Sequence, residues 1–321
     1  MTTRPGLIWG LDLSGGDARP IADCTDDGSA EFRWLHLSLA DQGTIGWISH
    51  AEDLPATVKE LLLSPDSHQR ALVDSGVVGC VLHDFERDFD VSDTSRVGAL
   101  RFALTPSLMI TARLHPIRSA DIVSDKLTRG QRITGAAGAL DLLVASVSEM
   151  IAGIGRELSV AVQKAEDRFL DGHHPPTPHD LIAIRRRLAQ LHRMLDGMRA
   201  VFRRLEEDEE LPEALIATVE KLSQRLHALD ADTLAVQGQL RLLREELDIQ
   251  AAQRTNQNLY VLSIMTALML PATLVTGIFG MNTGGLPWAS TSMGTLAATL
   301  LALGAAVATY LLLRLLGFMR G

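Results

Sequence analysis

The sequence predicts an α/β cytoplasmic domain followed by a long α-helical stalk and two C-terminal transmembrane helices. Three observations carry that prediction. Residues 259 to 280, from Leu259 through Pro271 to Gly280, hold no charge. At about 1.5 Å per residue they are just long enough to cross a hydrocarbon core of about 30 Å. A second uncharged run, Met293 to Leu313, follows after a connection too short to hold a domain, so the two runs form a hairpin. Upstream, alternation of apolar and polar residues gives way near residue 116 to apolar spacing of three and four, the change from strand to helix.

Taken in order, 7 to 13 and 32 to 39 alternate well enough to be strands, with a Gly-, Asp- and Pro-rich loop between them. Residues 53 to 63 and 64 to 73 read as short helices, the second with Ser64 as cap and Pro65 in its first turn. Residues 77 to 82 are a strand, and 100 to 104 with 108 to 113 form a hairpin around Thr105-Pro106-Ser107. This completes an α/β domain over 1–116. A helical region follows over 117–211. Thr134 to Leu170 keeps an apolar face and is stopped by Asp171-Gly172 and two prolines. Thr177-Pro178-His179-Asp180 restarts the chain with a cap, a first-turn proline and an acid three residues on. That helix runs to about Leu205, where Glu206 to Glu210 place five acids in a row and mark a solvated turn.

Pro212 opens a stalk over 212–258. From Glu213 to Leu270 there is no proline and only one glycine, Gly238, so a single helix of about 100 Å is expected. Leu215, Val219, Leu222, Leu226, Leu229, Thr233, Val236, Leu240, Leu243 and Leu247 recur at threes and fours and must pack on other helices. The stalk is expected to run unbroken into the first span of the two-helix domain over 259–321.

The net charge is -9, and the only charges after residue 250 are Arg254, Arg314 and Arg320, so the preceding chain carries -12. Nucleic acid is thereby an unfavourable partner, while cations are enriched near such a surface. Only Cys24 and Cys80 occur, as expected of a reduced cytoplasmic domain without a structural zinc site. The first residues lack a long apolar core, so no cleavable signal peptide is expected. Arg254 precedes the first span, Arg314 and Arg320 follow the second, and 283–292 hold no charge. The positive-inside rule therefore places both termini in the cytoplasm.

No nucleophile–base–acid grouping, phosphate-binding glycine loop or nicotinamide fingerprint is present, and Ser14-Gly15-Gly16 fits no such spacing. The chain is not expected to be an enzyme. His173, His174 and His179, spread across two prolines, do not have the spacing of a closed zinc site, and an exposed loop explains them. His36, His83 and His115 are assigned to the core or surface of the first domain.

Two helices cannot enclose water by themselves, because every polar group at bilayer depth needs a partner or water. Any aqueous path therefore demands an oligomer. Read at alternating steps of three and four, Asn256, Leu259, Ser263, Thr266, Leu270, Thr273 and Gly277 share one face of the first span. Serine and threonine in a membrane helix also bond back to their own carbonyls or hold helix pairs together, and that reading stays open here.

Gly280-Met281-Asn282, at the exit of a span containing Pro271, resembles the Gly-Met-Asn signature of the CorA-like two-helix metal-ion transporters. The wider string from Leu270 to Pro287, with Thr283-Gly284-Gly285-Leu286-Pro287 after the signature, resembles the ZntB zinc-transporter branch; Trp288 departs from its pattern. The resemblance implies a homopentamer in the inner membrane, Zn2+ as the transported ion and no permanently bound cofactor. It assigns ion recognition to Gly280, Met281 and Asn282, with Asn282 offering amide oxygens to a hydrated cation at low affinity. Thr273, Thr266, Ser263 and Asn256 would continue the hydrophilic wall, and Leu259, Leu262 and Leu270 would form apolar constrictions. Other divalent ions of the broader family, Mg2+, Co2+ or Ni2+, are the alternative cargo, and a membrane-anchored scaffold or sensor is the alternative class. The spans hold no acid or histidine, so proton coupling would have to use residues outside the bilayer core or the hydrated metal itself.

Overall fold

The computed structural model describes residues 6–21, 30–87, 96–172, 175–281 and 293–316. The chain divides into two compact units, Met1–Leu243 and Arg244–Gly321.

The first unit is built on a seven-stranded sheet in the order β2-β1-β3-β7-β6-β5-β4. Its strands are β1 (Leu7–Ser14), β2 (Asp17–Ile21), β3 (Phe32–Ser38), β4 (Arg70–Asp74), β5 (Val77–Phe85), β6 (Val97–Leu104) and β7 (Leu108–Arg113). All neighbours are antiparallel except β3 and β7, which run parallel with Trp34 opposite Met109 and His36 opposite Thr111. Two elements depart from the expected order. The glycine-rich stretch after β1 contains β2, reached by a two-residue turn in which Gly15 and Gly16 both take positive φ (59° and 86°). Such turns match the twist of a hairpin, and glycine adopts them at no steric cost.

The helix expected over 64–73 is not formed. Ser64 ends α2 (Ala56–Leu63), its N–H donating to the Glu60 carbonyl, and residues 70 to 74 are an edge strand. The turn at Ser75 (φ 53°) and Gly76 (φ 75°) folds that strand onto β5, so the register of Leu72 against Gly79 outweighs the capping signal of Ser64-Pro65. A further helix, α1 (Gln42–His50), is started by Asp41, whose carboxylate accepts from the Gly43 N–H at 2.7 Å.

Helices cover both faces of the sheet. On one, Leu35, Leu37, Val81, Ala103 and Ile110 pack with Ile48 of α1 and with Val58 and Leu62 of α2. The other carries Phe32, Trp34, Leu82, Leu100, Phe102 and Met109, all fully buried. Against this face lie α3 (Arg118–Thr128) and α4 (Gly135–Asp171), and α5 (Pro178–Glu206) packs on β4 and β5. The expected cap of α5 is present in both directions: Thr177 Oγ1 accepts from the Asp180 N–H, and Asp180 accepts from the Thr177 N–H.

α6 (Glu213–Gly280) is one helix of 68 residues and crosses the boundary between the two units. In the first unit its stripe is covered as expected, with Leu215, Val219, Leu222, Leu226, Leu240 and Leu243 buried. Asp230 is buried with them, accepting from Arg199 (2.5 Å) and paired with His192 Nδ1 (2.7 Å), both on α5. In the second unit, α6 beyond Arg244 is accompanied by α7 (Gly294–Leu315).

Among the described residues, three helices are long and apolar enough to cross a membrane: α4, α6 and α7. Burial separates them. The most apolar window of α4 is 56% buried against its own unit, while those of α6 and α7 are 0% and 6% buried. The first is a core helix; the other two are largely exposed among the described residues and need lipid or further protein.

Candidate functional site

The sequence-predicted stripe falls on a single side of α6. At about 100° per residue, Asn256, Leu259, Ser263, Thr266, Leu270, Thr273 and Gly277 lie within about 100° of one another around the helix axis. All seven are exposed. The partly covered positions of the span are Ile264, Ala267, Leu268, Pro271, Ala272, Val275 and Phe279, and apart from Ala267, about 40° from Ser263, they gather on the opposite side. On α7 the residues that lose exposure are Gly294, Ala297, Ala298, Ala302, Ala305, Ala306, Thr309 and Leu313, most of them on one side of the helix. Leu262 is also exposed, but stands about 100° around from Ser263 and at the margin of the stripe.

The two threonine hydroxyls of this face are oriented. Thr266 Oγ1 donates to the Leu262 carbonyl at 2.9 Å, and Thr273 Oγ1 donates to the Met269 carbonyl at 2.8 Å. Each therefore spends its only proton on its own helix and turns oxygen lone pairs outward. Back-bonding of this kind is one of the two readings open from sequence, and Thr266 and Thr273 both make it. A back-bonded hydroxyl is still an acceptor, and a hydrated cation presents water hydrogens that need acceptors. Nothing in the residue types alone foretold that polarity. Away from this face, Pro271 has no N–H to offer the Ala267 carbonyl one turn earlier.

At the end of the span the Met281 N–H closes the helix on the Gly277 carbonyl (3.1 Å) and the Ile278 carbonyl (3.3 Å). Gly277 and Gly280 have open space where a side chain would stand. Their small size is not required by contacts within one chain. Asn282, with the loop from Thr283 to Ser292, lies outside the described residues, as do His173 and His174. Neither span contains an acid or a histidine, so the wall is neutral throughout. It offers neutral oxygens and no tight metal ligands, and among the described residues no group of three or more His, Cys, Asp or Glu side chains is gathered anywhere in the chain.

Comparison with known proteins gives the same architecture. A family model described as CorA-like Mg2+ transporter protein matches residues 29–316. The zinc transport protein ZntB of Klebsiella pneumoniae is 27% identical over 302 residues, covering 90% of this chain and 88% of the relative. Among solved structures, the full-length CmaX protein superposes with a TM-score of 0.79 at 23% identity, covering 97% of this chain and 98% of that one. The CorA magnesium transporter of Methanocaldococcus jannaschii gives a TM-score of 0.77 at 16% identity, with 95% and 96% covered. At these identities the two structures establish the fold alone.

Proposed function

Because the chain belongs to the CorA-like Mg2+ transporter family, whose model spans residues 29–316, we propose that it carries Zn2+ across the inner membrane through a conduit assembled from several copies. α6 and α7 are the membrane-spanning elements, and the family is one of transporters and not of enzymes. The observation that carries the reading is the side of α6 left uncovered. An apolar anchor would have no use for Asn256, Ser263, Thr266 and Thr273 on one exposed face at bilayer depth, whereas a shared aqueous path needs them there.

Zinc is favoured over magnesium by the ZntB relatives, which align over nine-tenths of the chain. Five copies are the number implied by the family resemblance. In this arrangement the Thr266 and Thr273 oxygens accept from the water shell of the passing ion. Leu259, Leu262 and Leu270 narrow the path, and Gly280, Met281 and Asn282 receive the ion at its mouth, where Asn282 adds a ring of amide oxygens.

The test is Zn2+ uptake into proteoliposomes. Parental protein is expected to carry Zn2+, and Asn282→Ala to lose most of the flux. Thr273→Val, which keeps shape but removes the acceptor, should reduce it about tenfold, the equivalent of one hydrogen bond of about 1.4 kcal/mol. Unchanged flux in both variants would remove this face from the pathway. Stronger uptake of Mg2+ or Co2+ in competition would transfer the reading to those ions.

A further inference from the structure

The connection from α3 to α4 is set by a tight turn. Gly130 takes φ 93°, its N–H donates to the Leu127 carbonyl (3.1 Å), and the Gln131 N–H donates to the Lys126 carbonyl (3.0 Å). This is a Schellman ending, and it folds the next residues back over the start of α4. There the connection, α4 and Arg225 of α6 border a cavity of about 350 Å³.

The charge of the cavity runs against that of the molecule. Three cations from three segments line it: Lys126 of α3, Arg132 of the connection and Arg225 of α6. Two carboxylates face them. Asp141 is held from outside the cavity by Lys221 at 2.9 Å, and Arg132 reaches Asp17 at 3.0 Å. Glu149 is left to serve both remaining cations, one oxygen to Lys126 (2.8 Å) and the other to Arg225 (3.5 Å). The Lys126 hydrogen bond holds the Glu149 carboxyl below the usual carboxylate range. Two cations sharing one half-exposed carboxylate retain positive potential, although the chain before residue 250 is strongly acidic. Thr134 makes no side-chain cap, and the first turn of α4 holds no acid to offset the positive end of that helix. Ile133, Leu142 and Ala145 supply an apolar side.

We propose that this cavity binds a phosphate group, free or carried on a nucleotide. Guanidinium groups fit a tetrahedral oxyanion through paired N–H donors, and a lysine adds a point charge, so the set suits phosphate better than a divalent cation. The volume and the apolar side leave room for a nucleoside attached to it. The site lies wholly in the first unit and does not depend on the transport reading.

Isothermal titration calorimetry on the full chain in detergent, with EDTA present, tests it with orthophosphate, ADP and adenosine as probes. Saturable binding of ADP or orthophosphate, and none of adenosine, is expected. Equal affinities for the two phosphates would identify free phosphate as sufficient, and tighter ADP binding would identify a nucleotide; either supports the site. Arg225→Gln should weaken binding about tenfold, and Arg225→Lys less. Glu149→Gln should tighten it, because Lys126 and Arg225 lose their internal partner. A purely structural ion pair would not produce that opposite effect. Absence of binding by both phosphate probes, binding of adenosine alone, or equal affinities in parental, Arg225→Gln and Glu149→Gln proteins would overturn the proposal.

Discussion

Asp84 and His36 are both fully buried in the sheet, and burial moves their pKa values in opposite senses. Asp84 accepts from the Phe85 N–H (2.7 Å), the Ser119 N–H (3.1 Å) and the Ser119 hydroxyl (2.5 Å), and so caps α3 from a neighbouring strand. Burial nevertheless pushes its carboxyl up to about 6. His36, with burial and then Arg113 as causes, is lowered to about 3 and is neutral at working pH. The Thr111 hydroxyl donates to the Leu35 carbonyl, so it accepts from Trp34 Nε1 and from His36 Nδ1. His36 Nε2 is then the acceptor for Arg113 Nε at 3.0 Å. From sequence this histidine was open between core and surface, because nothing in Arg33-Trp34-Leu35-His36 specifies the threonine and arginine that β7 brings to it.

The two groups pull stability in opposite directions with pH. Between about pH 4 and 6 the folded chain keeps a proton on Asp84 that the unfolded chain has lost, so this term falls as pH rises. Over nearly the same window the unfolded chain binds a proton on His36 that the folded chain refuses, so that term rises with pH. Each slope is at most about 1.4 kcal/mol per pH unit. Thermal midpoints of the full chain in detergent should therefore climb more steeply with pH in Asp84→Asn than in parental protein, and less steeply in His36→Gln. Identical slopes in all three proteins would mean that neither group is held as buried as described.

At the scale of elements, what could be read ahead depended on whether the signal was local. The long helices were legible because an apolar stripe repeated for many turns, and because Gly172, Thr177 and Pro178 mark their ends chemically. β2 and β4 were missed as strands, although each adjoins a two-residue turn, Gly15-Gly16 and Ser75-Gly76. By residue type alone the glycine pair reads as a loop, and Ser64-Pro65 as a helix start. Both strands lie at edges of the sheet, partly exposed, so their apolar alternation is weak and pairing decides them. The candidate stripe was legible as a face of a helix, but the outward polarity of its hydroxyls was not. The turn after α3 gives a test at this scale. Gly130 stands at φ 93° with open space where a Cβ would be, so Gly130→Ala should lower stability by about 1 kcal/mol through backbone strain alone. Ala substitution at Gly155, inside α4 with equally open space and ordinary backbone, should instead be neutral or stabilising. Chemical denaturation of the two variants distinguishes them, and equal losses would contradict the turn geometry.

For the molecule as a whole, the decisive fact is that a single chain leaves its membrane segments incomplete. The exposed side of α6 carries hydroxyls whose protons bond back to their own helix and whose oxygens stay exposed among the described residues, and lipid offers those oxygens no donor where water would. If copies of the chain enclose water along this side, equivalent residues of neighbouring subunits approach one another across the path, whereas residues on the opposite side point away from it. Cysteine placed at 273 should then cross-link between chains in native membranes, after Cys24 and the buried Cys80 are replaced by alanine. Cysteine at 275, about 160° around the helix from 273, should not. Bound Zn2+ should slow the reaction at 273 by occupying the shared space, without altering expression or the size of the complex in detergent. Cross-linking at 275 alone, or at neither position in chains that migrate as monomers, would place the hydroxyl face against lipid and leave the hairpin as an anchor only.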